Sequence, residues 1–222
     1  MNRKTKSHGL LLIAVSLLLS SCNIFGGGSG SSGTDPLSGD LSPMGAVGNT
    51  FEMSNTSGMS NMFMGVIERE GSVSTIQSTV TLTNPSYLEI VKAVESSVPN
   101  MQVNGNNVSL LSNVRVTSKG IQNVYENGKK SFSLVEYDAK VGDTYKIKLP
   151  AGTITRKVIR KSNEDDYFWG FMNIKVIEVE EKSPTPGISK VVYYANHRFG
   201  LVGVDVHFED GSKAMANIYS DM

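Results

Sequence analysis

The chain has 222 residues, its 21 Lys and Arg balanced by 21 Asp and Glu, with one cysteine and one tryptophan. A neutral chain has no electrostatic drive toward nucleic acid, whose binding rests on phosphate neutralisation. A lone cysteine excludes an intramolecular disulfide and a cysteine-based zinc site, and the length suits one domain with an ordinary buried core.

Arg3, Lys4 and Lys6 precede an apolar run from Leu10 to Leu19, which is followed by Ser20, Ser21 and Cys22. This is the basic, apolar and small-residue order of an export signal. The run is shorter than the roughly 20 residues of a membrane span. Leu19-Ser20-Ser21-Cys22 resembles the lipobox of bacterial lipoproteins. The resemblance implies a signal peptide over residues 1–21, palmitate or a similar acyl group on Cys22, and attachment to a membrane through that N-terminal lipid. Cleavage would remove three cations and no anion, leaving a mildly acidic chain. Asn23 stands where an aspartate would mark inner-membrane retention, and no acidic residue follows in Ile24-Phe25-Gly26. The resemblance to Bacteroides-like envelope lipoproteins therefore implies the outer membrane, on its periplasmic side.

Residues 22–48 are rich in glycine and serine, with Gly26 to Gly33 as the densest part. Such composition buries too little apolar surface to offset chain entropy, so it predicts a flexible tether of roughly 25–30 Å root-mean-square span. Residues 49–222 then read as one β domain. Asn104-Gly105, Asn127-Gly128 and Asp210-Gly211 suit two-residue hairpin turns. Between such turns, polarity alternates with period two. Val202, Val204, Val206 and Phe208 are set against Gly203, Asp205 and His207, as expected of an antiparallel sheet with one face buried. Strands are predicted near 73–82, 108–117, 121–125, 131–137, 143–149, 153–161, 172–180, 189–195, 201–208 and 213–219. One amphipathic helix is predicted over 85–98, started at Asn84-Pro85 and stopped by Pro99, with Tyr87, Leu88, Val91, Val94 and Val98 on one stripe.

Val141-Gly142-Asp143-Thr144-Tyr145, and Tyr193-Tyr194-Ala195 through Phe199-Gly200-Leu201-Val202, have the rhythm of uncharacterised bacterial envelope lipoproteins. More distantly, residues 130–219 resemble the half-barrels of lipoprotein-localisation factors. The fold class expected is mostly β (α+β): a single curved antiparallel sheet or half-barrel with the helix on its concave side.

Four groups of residues invite chemistry. His207 and Asp205 share one strand face and could ligate a metal, with His197 as a further candidate; a solvated strand face running into a turn explains the same pattern. Met59, Met62 and Met64, with Met53 nearby, could bind Cu(I) through thioethers or simply fill a core. Arg156, Lys157, Arg160 and Lys161 could hold an anion, yet Glu178, Glu180 and Glu181 follow one hairpin later. Pairing Arg156 across the strands with Glu178 accounts for both runs.

The fourth group is Tyr167, Phe168, Trp169 and Phe171, four rings in a predicted hairpin end. Loops are normally polar, so a dense apolar tip marks either a contact surface, which Tyr193, Tyr194 and Phe199 could join, or rings folded back to plug the sheet. The reading drawn is a lipid-anchored envelope protein with no cofactor, non-catalytic, binding an apolar ligand or a protein partner through this aromatic end. The alternative is a hydrolase or metal-dependent enzyme built on His207 and Asp205.

Overall fold

The computed structural model describes residues 33–54, 58–125, 130–149, 152–182 and 187–221. The predicted signal peptide, Cys22, the predicted tether up to residue 32 and the predicted Asn127-Gly128 turn lie outside the described residues.

The first strands are β1 (Thr50–Met53), β2 (Met59–Glu70) and β3 (Val73–Leu82). Helix α1 (Pro85–Val94) follows and tightens into a 3-10 turn over Glu95–Ser97. Then come β4 (Met101–Asn104), β5 (Asn107–Thr117), β6 (Gly120–Tyr125) and β7 (Lys130–Glu136). The second half holds β8 (Thr144–Leu149), β9 (Gly152–Lys161), a small hairpin of β10 (Tyr167–Trp169) and β11 (Met172–Ile174), β12 (Ile177–Lys182), β13 (Ile188–Asn196), β14 (Gly200–Phe208) and β15 (Lys213–Ser220). All ladders are antiparallel. The main sheet has 13 strands in the order β7-β6-β5-β3-β2-β1-β15-β14-β13-β12-β9-β8, with β4 added beside β5. The expected class is therefore what forms, a curved antiparallel sheet carrying one short helix, but the sheet curls until its terminal strands β7 and β8 become neighbours.

Alternation decides the two faces. Val114, Phe132, Ile154, Val158, Val179 and Val204 fill the concave side, while Lys146, Lys148 and Lys157 stand exposed on the outside. This is the reverse of a barrel whose outer band faces lipid. Helix α1 covers one end of the hollow, its Tyr87 and Val91 packed with Val80 and Leu82 of β3 and Val108 and Leu110 of β5. Those strand residues share the parity of Ile76 and Val114, which line the main core, so the helix lies on the concave face as expected.

Two strands at the start of the domain were not legible. β2 carries irregularities at Ser60/Phe63 and Val66/Glu68, and Asn61 sits at φ 50, so the period of two is broken twice. The methionines belong to this strand. Met59 and Met62 pack on the helix cluster and Met64 is buried in the main core, thioethers against aliphatic neighbours. A bulge also alters β14: Val204 and Val206 point inward and Phe208 packs on the same core, but Val202 faces the outer side.

Residues 33–48, assigned by composition to the tether, are instead laid across the sheet. Ser133 N donates to Gly33 O at 2.7 Å, Gln122 holds Asp35 O and Leu37 N through its amide, and Ser118 N donates to Asp40 O. Met44, in a 3-10 turn over Pro43–Gly45, is buried in the core. Hydrogen bonds from strand edges supply what this segment lacks in apolar area. The domain thus begins earlier than residue 49.

No backbone ladder joins β7 to β8 among the described residues. Arg156 of β9 bridges the seam from inside. Its Nε donates to Glu181 Oε2 at 2.6 Å, and its Nη1 donates to Ser133 O at 3.0 Å and Phe132 O at 3.4 Å on β7. The guanidinium lies 4.1 Å from the centre of the Phe132 ring, and Tyr193 donates its hydroxyl to Glu181. Both charged side chains have 0% exposure. Burial acts to lower the guanidinium's pKa, and the Glu181 carboxylate together with Tyr193 and Tyr125 more than reverses this.

The expected Arg156–Glu178 pair is thus corrected. Arg156 stands opposite Glu181, and Glu178 pairs with Arg160 at 2.5 Å on the outer face. The inserted hairpin and a bulge at Glu178/Val179 move the register, and the Arg156 pair is a core interaction and not a surface one.

Replacing Arg156 with Met, or Glu181 with Leu, leaves one charge buried alone and is expected to cost about 3–5 kcal/mol. The double replacement should cost clearly less than the sum. Urea unfolding of the three variants checks this; additive losses would show that the pair does not couple.

Candidate functional site

The segment between β9 and β12 leaves the barrel end and folds back over its outer face. Arg160 and Ser162 both bond Asp166, which fixes the exit from β9. β10 and β11 then pair Tyr167 with Ile174 and Trp169 with Met172. Gly170 and Phe171 form the two-residue turn, with Gly170 at φ 64 in the first position, where a glycine relieves the strain of positive φ.

Period two again separates the side chains. Tyr167 and Trp169 face down onto β13, β14 and β15, and Phe168 faces up. Tyr167 stacks on Tyr194 with ring centres 4.9 Å apart and donates to Asn217 Oδ1 at 2.8 Å. Trp169 lies 4.7 Å from Phe199 and 5.4 Å from Tyr219, and its Nε1 donates to Ile218 O at 2.9 Å. Ile174, Val176 and Val202 form the buried floor of this cluster. Gly203 is required beneath it, because a Cβ there would sit 2.3 Å from the Tyr167 hydroxyl.

Four of the predicted contact residues, Tyr167, Trp169, Tyr194 and Phe199, therefore meet in one cluster on the outside of the sheet. Phe168 and Phe171 belong to the same hairpin and are 66% and 90% exposed. Tyr193 is not among them. It points to the concave side with 0% exposure, beside Arg156 and Glu181. Between hairpin and barrel end runs a groove of about 590 Å³, walled by Met44, Trp169, Phe171, Met172, Phe199 and Tyr219 and edged by Arg198. Met44, Met172, Tyr219 and Arg198 were missed from the sequence. Tyr219 carried a usable signal, since it alternates with Ile218 at the end of a predicted strand. Met44 lay within glycine-rich sequence and carried none.

The histidines do not converge. His197 is exposed in the β13–β14 turn, and His207 lies near the far end of β14. Their separation is roughly 20–25 Å at the rise of an extended strand. Asp205 is buried and accepts from Tyr194 at 2.7 Å, and its carboxylate meets Lys213 at 2.6 Å. Burial first, then the Asp205 hydrogen bond, push the Tyr194 phenol above its ordinary range. Among the described residues, no three His, Cys, Asp or Glu side chains are placed to hold a metal ion. No helix among them is long and apolar enough to cross a membrane.

Comparison of the sequence with family models and with curated proteins, and of the fold with solved structures, returned no match.

Two outcomes follow from this geometry. Gly203→Ala should lift the hairpin and cost about 1–3 kcal/mol, with the Trp169 emission moving to the red as the indole gains water. An unshifted spectrum would mean that Tyr167 simply moves aside. The second concerns pH. Burial first, then Lys190 and Lys213, lower the pKa of His207 in the folded chain, against Asp205 and Glu180. The unfolded chain then takes up the proton more readily, so stability falls as pH drops through this range. His207→Gln should flatten the dependence of the unfolding midpoint between about pH 7 and 5; an unchanged slope would assign it to other groups.

Proposed function

We propose that this chain is a lipid-anchored protein of the bacterial cell envelope, held at the outer membrane through Cys22, that carries an apolar ligand in the groove beside Trp169. The observation behind the binding role is the exposure of Phe171 and Met172 on the wall of a groove of about 590 Å³ that Trp169, Phe199 and Tyr219 also line. Single exposed apolar residues are ordinary, but a contiguous aromatic patch around a concavity is not. The volume falls in the range that encloses most of a small ligand. Covering a phenylalanine side chain is worth about 1.5–3 kcal/mol, so an apolar ligand has a real gain to collect there. The envelope assignment rests on the order of basic, apolar and small residues that ends at Cys22.

The structural support is of a scaffold kind. The hairpin is fixed to the sheet by two side-chain hydrogen bonds and three ring contacts, so the groove wall is set before any ligand arrives.

Native mass spectrometry of the full chain, extracted gently from the envelope, should show a small apolar adduct that is lost in a folded Trp169→Ala variant. In the same cells, labelled palmitate should enter the chain and disappear with Cys22→Ser. A bare mass that no added apolar compound changes would end the ligand reading. A protein-sized adduct would replace the ligand with a partner, and label that survives Cys22→Ser would end the anchor.

A further inference from the structure

Among the described residues, Arg198 is the one charged side chain on the groove wall. It is exposed, its guanidinium lies 5.2 Å from the centre of the Phe199 ring, and it forms no ion pair among the described residues. Apart from Gly170 and Ser220, the groove is lined by apolar and aromatic side chains, with Arg198 as its one cation among the described residues.

Met44 belongs to two spaces at once. It walls the groove, and it also walls a cavity of about 60 Å³ inside the barrel, together with Phe51, Met64, Ile76, Leu134 and Leu201. The interior cavity is lined by apolar residues, and such spaces stay dry. Gly200, at φ 72, stands against the Met44 side chain; a Cβ there would lie 3.3 Å from the Met44 methyl. Met44, whose side chain has three rotatable bonds and faces a residue with no side chain, thus stands between groove and interior.

We propose that the groove takes a single-chain amphiphile with an anionic head, of the fatty-acid class: the head pairs with Arg198, the chain lies along Trp169 and Phe199, and its end displaces Met44 to enter the barrel cavity. The proposal rests on the reading of the groove as an apolar-ligand site and adds the charge, the shape and the direction of the ligand. A guanidinium presents two parallel donors that match a carboxylate. At an exposed position this adds about fivefold in affinity or less, so the chain supplies most of the binding and the head supplies selectivity.

The test uses the full chain with Cys22→Ser, so that no acyl group of its own competes, and laurate, dodecanol and dodecyltrimethylammonium as probes below their micelle concentrations. Trp169, the only tryptophan, reports occupancy by its emission, and calorimetry gives the dissociation constants. Laurate should bind up to about fivefold more tightly than dodecanol, and the ammonium compound more weakly than either. Arg198→Gln should remove the advantage of laurate and leave dodecanol unchanged. Equal binding of laurate and dodecanol in the parent would overturn the anionic head while the apolar groove stands. Failure of all three probes would overturn both. Across a series from octanoate to myristate, affinity should rise by up to about fourfold per methylene, and Met44→Phe should end that rise at a shorter chain. A series that stops rising at the same length in parent and Met44→Phe would overturn entry past Met44.

Discussion

A curled sheet that lacks a closing ladder has two raw edges facing each other, and here a buried guanidinium resolves them. Arg156 reaches from β9 to two carbonyls of β7 and is itself neutralised by Glu181, whose carboxylate also accepts from Tyr193. Unpaired strand edges are otherwise templates for pairing with another chain. On the other side of the same edge, Gly33 accepts from Ser133 N, and Lys161 donates to the carbonyls of Tyr137 and Ala139 just beyond β7. The edge is consumed by an arginine, a lysine and a stretch of N-terminal backbone. Apolar residues of equal volume often serve stability as well as a buried ion pair does; what the bonds of Arg156 do here is tie β9 to β7 across the seam.

With the concave side filled by aliphatic residues and this pair, the barrel has little room inside for anything else. The larger space lies outside, under a hairpin that belongs to neither sheet half. The arrangement depends on small residues as much as on rings. Gly203 lets Tyr167 lie flat on β14, and the bulge near Tyr194/Ala195 turns Val202 outward to form the floor on which Trp169 and Phe199 rest. One irregularity in the ladder thus adds an aliphatic floor between Tyr194 on β13 and Tyr219 on β15, which face outward by their own alternation.

Regular alternation was readable and irregular alternation was not. β3 and β14 were placed from their period of two, and the helix from its stripe and its two prolines. β2 escaped because two interruptions break the same signal, so its methionines could be read either as a soft-metal cluster or as core. Residues 33–48 escaped because their anchorage is made by backbone groups and by Gln122, which composition does not express. The aromatic density of residues 167–171 did mark the hairpin that walls the groove, because apolar rings in a turn are rare whichever way they face. Tyr193 and Tyr194 show the limit of that inference: adjacent in sequence, they point to opposite faces of one strand, and only the outer one joins the groove. Arg156 was visible as a charge with acidic residues downstream, but register decides which acid it meets, and register depended on an insertion whose length was counted without its fold.

The pairing of β1 with β15 has a temporal meaning. Phe51 lies opposite Ser220, so β1 waits for β15, and the two sheet halves stay separate until residues 213–220 have been made. Contacts of such long range are slow to form. During that interval β1 and β14 each offer a bare flank to any passing chain. Those flanks are the places where the unfinished sheet is most open to pairing with another chain.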